Sequence, residues 1–244
     1  MTGIAPAGGI ESVRIVIPAR NEESRLPACL SALDDALDVL AAAFPTVEAR
    51  AFVAADSCHD RTPDIAHAWP SVTLVQADAA VVGATRDRGI RAALADSPRP
   101  GPATWIACTD ADTLVPPHWL ETQLVHANRG CALLLGTVQL PDATLPGYQY
   151  TESHPHVHGA NLGVRADAYL AVGGFPPLPE HEDHRLAAAI RAAGLPWHAT
   201  DTNRVITSGR RAGRTPGGFA ATIRSAAART PSRETPELAR CLHP

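Results

Sequence analysis

The sequence predicts an α/β fold in which helices cover a mostly parallel β-sheet. Short runs of β-branched and apolar residues alternate with segments whose apolar residues recur every three or four positions, and this alternation continues to about residue 138. Alternating strands and helices are typical of parallel sheets with crossover helices. Several of the apolar runs also end in acidic residues. No internal repeat is evident, so we expect a single domain.

Each element of the first half has its own signal. The β-branched run at residues 13–17 ends at Pro18 and predicts a strand, and leucines at three- and four-residue steps predict a helix that ends near Ala43. Thr62 and Pro63 predict the start of the next helix, with the proline at its first position. The remaining expected elements are strands at 49–54, 72–76, 105–109 and 131–138 and helices at 83–95 and 117–128.

The second half is less regular. Residues 141–155 have the composition of a loop, and residues 205–207 predict a short late strand. Two further segments, 165–172 and 182–193, have helical patterns. We expect the chain beyond residue 229 to be frayed.

The basic residues of the chain are all arginine. The sequence contains 21 Lys+Arg and none of them is lysine. This excludes Schiff-base chemistry, a pyridoxal-phosphate anchor and a phosphate-loop lysine. An anionic ligand must therefore be held by arginines, backbone N–H groups, helix N-termini or a metal ion.

The net charge of −4 conceals an uneven distribution. Residues 1–203 hold 13 Arg against 23 Asp and Glu, a balance of −10, whereas residues 204–244 hold 8 Arg against 2 Glu, a balance of +6. The basic tail fits either a solvated segment beside an acidic surface or a segment that meets a phosphate-bearing ligand.

The five cysteines are widely scattered, odd in number and without a C-x-x-C spacing. They therefore predict reduced thiols and a cytoplasmic protein rather than a disulfide framework or a zinc site. No apolar run is long enough to cross a membrane, and we expect no signal peptide.

Carboxylates follow three of the predicted strands. Glu22 follows the first strand, Asp56 the second, and Asp110 with Asp112 the strand at 105–109. Ligands of open parallel sheets bind at the carboxyl ends of strands. In an extended segment Asp110 and Asp112 would point to the same side and repel each other unless a hard divalent cation lay between them. The alternative is an Asx-type turn that leads into the helix at 117–128.

Six segments in order resemble the family 2 glycosyltransferases with the GT-A fold. They are VRIVIPARNEE, ADSCHDRT, GATRDRGI, DAD, GANL and EDHRL, and they span roughly residues 13–225 with the segments around them. The resemblance implies a single GT-A type domain, a mixed and mostly parallel sheet with a Rossmann-like N-terminal half. It divides the chain into an N-terminal tail (1–12), a nucleotide-sugar-binding half (13–138), an acceptor-binding half with a basic loop (139–228) and a flexible tail (229–244).

The resemblance assigns the nucleotide to the loops after the first strands. The family's more usual Asp-Asp pair is Ala55-Asp56 in this chain, which leaves the base open between uracil and another. The implied nucleotide-binding residues are Pro18, Ala19, Arg20, Glu22, Asp56, Arg86 and Asp110.

The D-x-D and the Glu182-Asp183 pair carry the chemistry that the resemblance implies. Asp112, with Asp110, would bind Mg²⁺ or Mn²⁺ on the sugar diphosphate. Asp183, beside Glu182, would be the general base that takes the proton of an acceptor hydroxyl in an inverting displacement. The alternative for this pair is a helix N-terminal carboxylate favoured by the helix dipole.

Two further groups complete the expected site. Arg210, Arg211 and Arg214 would hold the diphosphate as a mobile lid, the alternative being a solvated basic loop. The donor sugar and acceptor would meet His158, Gly159, Ala160, Asn161 and Trp119, although a tryptophan is more often core or pocket wall.

The sequence thus predicts an enzyme that moves a sugar from a nucleotide-diphosphate donor, a UDP-sugar by family resemblance, to an acceptor hydroxyl. The alternatives are a retaining GT-A enzyme with the same site and a non-catalytic nucleotide-sugar-binding protein with a basic surface tail. A nucleotidyltransferase is disfavoured because the loop after the first strand lacks glycines. We expect no nucleic-acid partner and no membrane span. Peripheral membrane contact, the acceptor, the donor sugar and the oligomeric state stay open.

Overall fold

The computed structural model describes residues 9–97, 101–141 and 148–208. Within these ranges eight strands form one sheet. They are β1 (Ser12–Ala19), β2 (Glu48–Asp56), β3 (Val72–Ala77), β4 (Thr104–Cys108), β5 (Thr113–Leu114), β6 (Leu133–Gln139), β7 (Leu162–Arg165) and β8 (Trp197–Thr207). The helices are α1 (Leu26–Ala43), α2 (Thr62–Ala68), α3 (Val82–Ala95), α4 (Trp119–Asn128), α5 (Ala166–Ala171) and α6 (Glu182–Ala192), with a 3₁₀ turn at Gly159–Asn161.

The strand order is β3-β2-β1-β4-β7-β6-β8-β5. Strands β3, β2, β1 and β4 pair in parallel, and β7 then pairs antiparallel with both β4 and β6. Because β7 is antiparallel to both of its neighbours, β6 runs in the same direction as β4. Strand β8 is parallel to β6 and therefore also runs in this direction. The carboxyl ends of these parallel strands therefore lie at one edge of the sheet. The predicted α/β fold with a mixed, mostly parallel sheet is confirmed.

Helices bury both faces of the sheet. Ile15 and Ile17 belong to the core beneath α1 and α4, whereas Val16 between them belongs to the core beneath α3, α5 and α6. The alternation follows from the two-residue period of a strand. It explains why β1 reads as a continuous β-branched run, as expected for a strand that is covered on both sides.

Helix α1 places its leucine stripe against the sheet. Leu26, Leu30, Leu33 and Leu40 are buried, while the residues between them include the acidic side chains that face outward. Pro27 stands in the first turn, where its missing N–H group costs no hydrogen bond. The three- and four-residue spacing in the sequence thus predicts which face is buried.

Strand β8 differs most from its prediction. It runs over eleven residues rather than three. Its middle carries Thr200, Asp201, Thr202 and Asn203, which give no apolar pattern, and it pairs with β6 across an irregularity near Gly136. The short strands β5 and β7 were not predicted either, because each is completed by pairing with a strand distant in sequence.

Two expectations from composition can be compared with the described residues. Cys29, Cys58, Cys108 and Cys131 are free, as predicted, and Cys241 lies outside the described ranges. Among the helices of those ranges, none combines the length and the hydropathy that a membrane crossing requires.

We expect Gly83→Ala to destabilise the fold. A Cβ at this position would lie 2.1 Å from the carbonyl oxygen of Pro176, a backbone atom that cannot rotate away. Alanine favours a helix over glycine by about 1 kcal/mol, but overpacking costs about 1–3 kcal/mol, so the free energy of unfolding should fall. Urea unfolding would measure it, with Gly101→Ala as control because, among the described residues beyond its chain neighbours, no atom lies within 4 Å of the added Cβ. Equal midpoints for the two variants would contradict this contact.

Candidate active site

The loops after β1 and β2 are bonded to each other at the carboxyl edge of the sheet. The backbone N–H of His59 donates to Oδ1 of Asn21 (2.7 Å), and the N–H of Glu22 donates to Oγ1 of Thr62 (2.7 Å). The N–H of Glu23 donates to Oδ2 of Asp60 (3.0 Å). These bonds fix the conformation of both loops beside the ends of β1 and β2, although the loops have no regular secondary structure.

Four of the predicted nucleotide-binding residues lie in the first of these loops or at the end of β1. Ala19 ends the strand, and Arg20 donates through Nη1 to the carbonyl oxygen of Ala80 (3.4 Å). Glu22 is buried, with Arg25 3.8 Å from its carboxylate. Pro18, Ala19, Arg20 and Glu22 are therefore close together at the predicted edge, and their contact with a nucleotide stays a prediction.

Asp56, the last residue of β2, organises the neighbouring loop. Its Oδ1 accepts hydrogen bonds from the backbone N–H groups of Ala79 (2.8 Å) and Ala80 (3.0 Å) and from the Ser57 hydroxyl (3.2 Å). Ser57 and Ala80 both adopt positive φ angles, which side chains other than glycine rarely do. Asp56 thus fixes the loop that follows β3 against the end of β2.

The D-x-D lies in a turn rather than in an extended segment. The N–H of Thr113 donates to the carbonyl oxygen of Asp110 (3.0 Å), which closes the turn before β5. The expectation that Asp110 and Asp112 share one side of an extended strand is therefore wrong. The short β5 pairs with β8, and this pairing requires the chain to reverse immediately after β4.

Arg86 connects the D-x-D to the Glu182-Asp183 pair. Its side chain is 3% exposed, and its guanidinium bonds to Asp110 through Nη2, to Glu182 through Nε (3.1 Å) and to the carbonyl oxygen of Gly159 through Nη1 (3.1 Å). Burial alone lowers the pKa of Arg86, but the carboxylates of Asp110 and Glu182 raise it above its ordinary value. The contacts of Arg86 are with protein groups, and its predicted contact with a nucleotide stays untested.

Glu182 and Asp183 occupy different environments although they are adjacent. Glu182 is buried against Arg86, and burial raises its pKa; Arg86 lowers the pKa in part, and the nearby Asp183 raises it again. Asp183 is partly exposed, and its two oxygens accept from the backbone N–H groups of Gly159 (2.7 Å) and His184 (2.7 Å). Asp183 is thus the member of the pair with both solvent access and a fixed orientation.

The D-x-D supplies hard oxygen ligands for a divalent cation. Mg²⁺ is commonly bound by one or two carboxylates together with substrate phosphates and water. Within the described ranges, no group of three or more His, Cys, Asp or Glu side chains is arranged to hold a metal ion by itself. Asp110 and Asp112 offer carboxylate oxygens of the kind that such a cation uses, although Asp110 is also paired with Arg86.

Two residues predicted to contact the sugar are instead part of the core. Trp119 is 0% exposed, and its Nε1 donates to Oδ1 of Asn161 (2.9 Å). Asn161 is 1% exposed, and its Nδ2 donates to the carbonyl oxygens of Thr137 (2.8 Å) and Asn203 (2.9 Å). The prediction is wrong for both, because their polar atoms join α4, β6 and β8 and present no surface to a ligand.

The remaining predicted sugar contacts lie beside Arg86 and Asp183. Gly159 and Ala160 are buried in the 3₁₀ turn, and Gly159 contacts both charged residues through its backbone. His158 lies within 2.8 Å of the Tyr148 hydroxyl through Nε2, and burial, with smaller contributions from His156, His184 and His154, lowers its pKa to about 3. The imidazole of His158 is therefore neutral near pH 7.

The histidines before the 3₁₀ turn form an aromatic stack that the sequence did not predict. The ring of His156 lies parallel to that of Tyr148 with a centroid distance of 3.7 Å, and Tyr148 also accepts the backbone N–H of Val138 (3.1 Å). His154, His156 and His158 alternate in the sequence, but nothing there indicated that Tyr148 would stack on them.

None of the four described thiols is set up as a nucleophile. Burial, reinforced by Asp112 and Asp110, raises the pKa of Cys29 to about 12, and burial is also the main cause that raises the pKa of Cys108 to about 12 and of Cys131 to about 11. Burial raises the pKa of Cys58 as well. Thiolates are disfavoured at all four positions, which is typical of inert cysteines.

Arg210, Arg211 and Arg214 lie outside the described residues. Their contact with a diphosphate stays a prediction.

The link between Arg86 and Glu182 was missed, although the sequence carries a signal for it. Gly83, Arg86, Ile90 and Ala93 recur at helical spacing and all face the interior. An arginine within such a stripe indicates a buried cation that needs carboxylate partners. The identity of those partners depends on tertiary structure alone.

The fold and the acidic edge define a GT-A type α/β domain. A model of Glycosyl transferase family 2 matches residues 14–173, more than half of the chain. The chain therefore belongs to glycosyl transferase family 2. No curated protein matches it significantly.

Similar solved structures share this fold at low sequence identity. TarS of S. aureus, residues 1–349 in complex with UDP-GlcNAc, has a TM-score of 0.65 and 14% identity, with 89% of this chain and 66% of that chain covered. The mannosyltransferase PcManGT from Pyrobaculum calidifontis, in complex with GDP-Man and Mn²⁺, has a TM-score of 0.57 and 17% identity, with 93% and 71% covered. This chain thus spans just under two thirds of that TarS chain.

Glucosyl-3-phosphoglycerate synthase from Mycobacterium tuberculosis, in complex with Mn²⁺, UDP and phosphoglyceric acid, has a TM-score of 0.57 and 15% identity, with 89% of this chain and 76% of that chain covered. At such identities the likeness establishes the fold.

Trp119→Phe should lower stability without affecting the binding of nucleotide sugars. The variant removes the only N–H of the indole and leaves Oδ1 of Asn161 without that buried donor, which costs about 1–3 kcal/mol. Chemical denaturation would measure the free energy of unfolding. Trp69→Phe is the matched control because its indole donates to Asp34 (2.9 Å) at a less buried position, so its loss should be smaller. Weaker ligand binding at unchanged stability would restore the sugar-contact interpretation of Trp119.

Proposed function

We propose that the protein transfers a sugar from a nucleotide-diphosphate donor to an acceptor hydroxyl, with Asp183 as general base. The observation that carries this proposal is that Asp183 and the D-x-D meet at one edge of the sheet. Arg86 bonds to Asp110 and to the carbonyl oxygen of Gly159, and the N–H of Gly159 bonds to Asp183. Two acidic motifs that are about seventy residues apart in sequence are thereby joined by one side chain, that of Arg86, and the backbone of one glycine.

The nucleoside would bind to the bonded loops after β1 and β2, where Pro18, Glu22 and Asp56 lie. This placement of the nucleoside is supported by the hydrogen bonds that fix these loops before a ligand arrives, because fixed loops lose less entropy on binding. The donors in similar structures are UDP-GlcNAc and GDP-Man. We propose a nucleoside diphosphate sugar of the same class, with UDP as the favoured nucleotide.

Asp112, assisted by Asp110, would hold a divalent cation on the diphosphate. Mn²⁺ is present in two of the similar structures described above. When bound, such a cation neutralises the negative charge that develops on the departing nucleoside diphosphate. The chain has no lysine that could do so.

The transfer itself requires one proton acceptor. The oxygen of the acceptor hydroxyl forms a bond to the anomeric carbon, the bond from that carbon to the diphosphate breaks with its electron pair, and the hydroxyl proton passes to a carboxylate oxygen of Asp183. Attack opposite to the leaving group inverts the anomeric configuration. NMR analysis of the product configuration would separate this route from a retaining one on the same site.

Nucleotide binding should stabilise the protein in a metal-dependent manner. We expect UDP or GDP, and UDP-GlcNAc or GDP-Man, to raise the unfolding temperature with Mn²⁺ present, because a ligand at 100 times its Kd adds about 2.7 kcal/mol of stability. Thermal-shift measurements with and without Mn²⁺ would show it, with AMP and glucose as controls. If none of the four compounds stabilises the protein with Mn²⁺, the proposed donor class is wrong.

Asp183→Asn should lower turnover to a small residual rate while leaving donor binding intact. The amide oxygen can still accept the N–H of Gly159, but the group no longer accepts a proton, so kcat should fall by about 10²–10⁴-fold. Release of nucleoside diphosphate would be measured beside the affinity for the donor. Asp64→Asn is the matched control, because Asp64 also lies in the first turn of a helix but is exposed. Equal effects of the two variants would favour the helix-dipole interpretation of Asp183.

A donor that binds without any release of nucleoside diphosphate by the wild-type protein would instead favour the non-catalytic alternative. The binding and turnover measurements therefore separate the two classes of function.

A further inference from the structure

We infer that Arg86 is a positioning residue that holds the general base Asp183 in register with the metal-binding motif. The inference rests on the proposed function, and it assigns to Arg86 a task that does not require contact with the nucleotide. It follows from the contacts of one guanidinium group and from the backbone of one glycine.

The first step is the geometry of the guanidinium. Its three nitrogens each bond to a different group: Nη2 to Asp110, Nε to Glu182 and Nη1 to the carbonyl oxygen of Gly159. A planar fork with fixed donor directions sets the relative positions of all three partners. The side chain of Arg86 is 3% exposed, so water has little access to its guanidinium, whereas the partner Asp110 is 33% exposed.

The second step runs through Gly159. The carbonyl group of this residue accepts from Arg86, and its N–H group donates to Oδ2 of Asp183 at 2.7 Å. A Cβ at residue 159 would lie 2.5 Å from Nη2 and 2.7 Å from Cζ of Arg86. Glycine is therefore required for this close approach, and a displaced guanidinium would displace the donor that orients Asp183.

The third step concerns the second connection to the base. Arg86 bonds to Glu182, which precedes Asp183 in the first turn of α6. His181, which precedes Glu182, adopts a φ of 62°. The backbone just before α6 is therefore in the left-handed region, which is unfavourable for a residue other than glycine. Arg86 thus restrains Asp183 from two directions, through the chain at Glu182 and through the peptide at Gly159.

A lysine at position 86 would keep the charge without the geometry. An ammonium group is a point charge on a flexible stem and cannot hold three partners in fixed directions. Arg86→Lys therefore separates charge from positioning. A misplacement of about 1 Å can lower a rate by about 10²-fold.

The experiment is a double-mutant cycle on Arg86→Lys and Asp183→Asn. It would measure the release of UDP from UDP-GlcNAc, or of GDP from GDP-Man, with Mn²⁺ and water as acceptor, together with the Kd for the same donor. We expect Arg86→Lys to lower kcat by about 10²-fold with the Kd changed by less than about threefold. In the Asp183→Asn background the same change should lower kcat by less than about threefold, because a positioning residue has no effect once the base is gone.

Arg88→Gln is the control, because Arg88 lies on α3 two residues away and is exposed. It should leave both constants unchanged. Equal losses of kcat from Arg86→Lys in the two backgrounds would overturn the inference, since they indicate a role independent of Asp183. A loss confined to donor affinity would overturn it in favour of the nucleotide contact.

Hydrogen–deuterium exchange provides a readout that does not require turnover. Arg86→Lys should increase exchange at the amide of Gly159 by about tenfold or more without increasing it in β1. Unchanged protection at Gly159 would overturn the inference even if the enzyme is active. If the wild-type protein releases no nucleoside diphosphate while the exchange effect is present, the proposed function fails and the structural part of the inference stands.

Discussion

The proposed acceptor side of the candidate site depends on one buried cation. Arg86 lies on α3, between carboxylates that reach it from the loop after β4 and from the start of α6. Removing one partner of a buried pair costs about 3–5 kcal/mol because the other charge is left without compensation. The two halves of the candidate site are therefore not independent surfaces on a common sheet. Their relative position is set by a guanidinium that is itself buried.

The proposed donor side of the candidate site is organised differently. Its loops are fixed by bonds between backbone N–H groups and short side chains, such as those of Asn21, Thr62 and Asp56. These side chains are close in sequence to the strand ends that they support. These bonds join neighbouring loops whose residues are 23 to 40 positions apart in sequence, whereas the bond from Arg86 to Glu182 spans 96 positions. The arrangement around Arg86 therefore exists only when α3, the turn after β4 and α6 have assembled.

The sequence predicted those parts of the molecule whose signal is local. The strand at 13–17, the leucine stripe of α1 and the helix start at Thr62 all follow from spacing and end signals, and each is present. Strand β8 and the turn at Asp110 were mispredicted because they depend on pairing with distant strands. Trp119 and Asn161 were predicted to contact the sugar because a sequence motif specifies residue types and their order. A motif does not specify whether a side chain faces a ligand or the core.

The contacts of the arginines show what the absence of lysine means for the binding of a diphosphate. Arg14, Arg50, Arg91, Arg165 and Arg204 each pair with a carboxylate of the protein, as Arg86 does. Arginines that are already paired contribute little net charge toward an incoming diphosphate. This distribution is the physical reason for proposing that a divalent cation at Asp112 carries the compensating charge. The proposed base would not need a lysine either, because the N–H that donates to Asp183 belongs to Gly159, whose carbonyl group is held by the fork of Arg86.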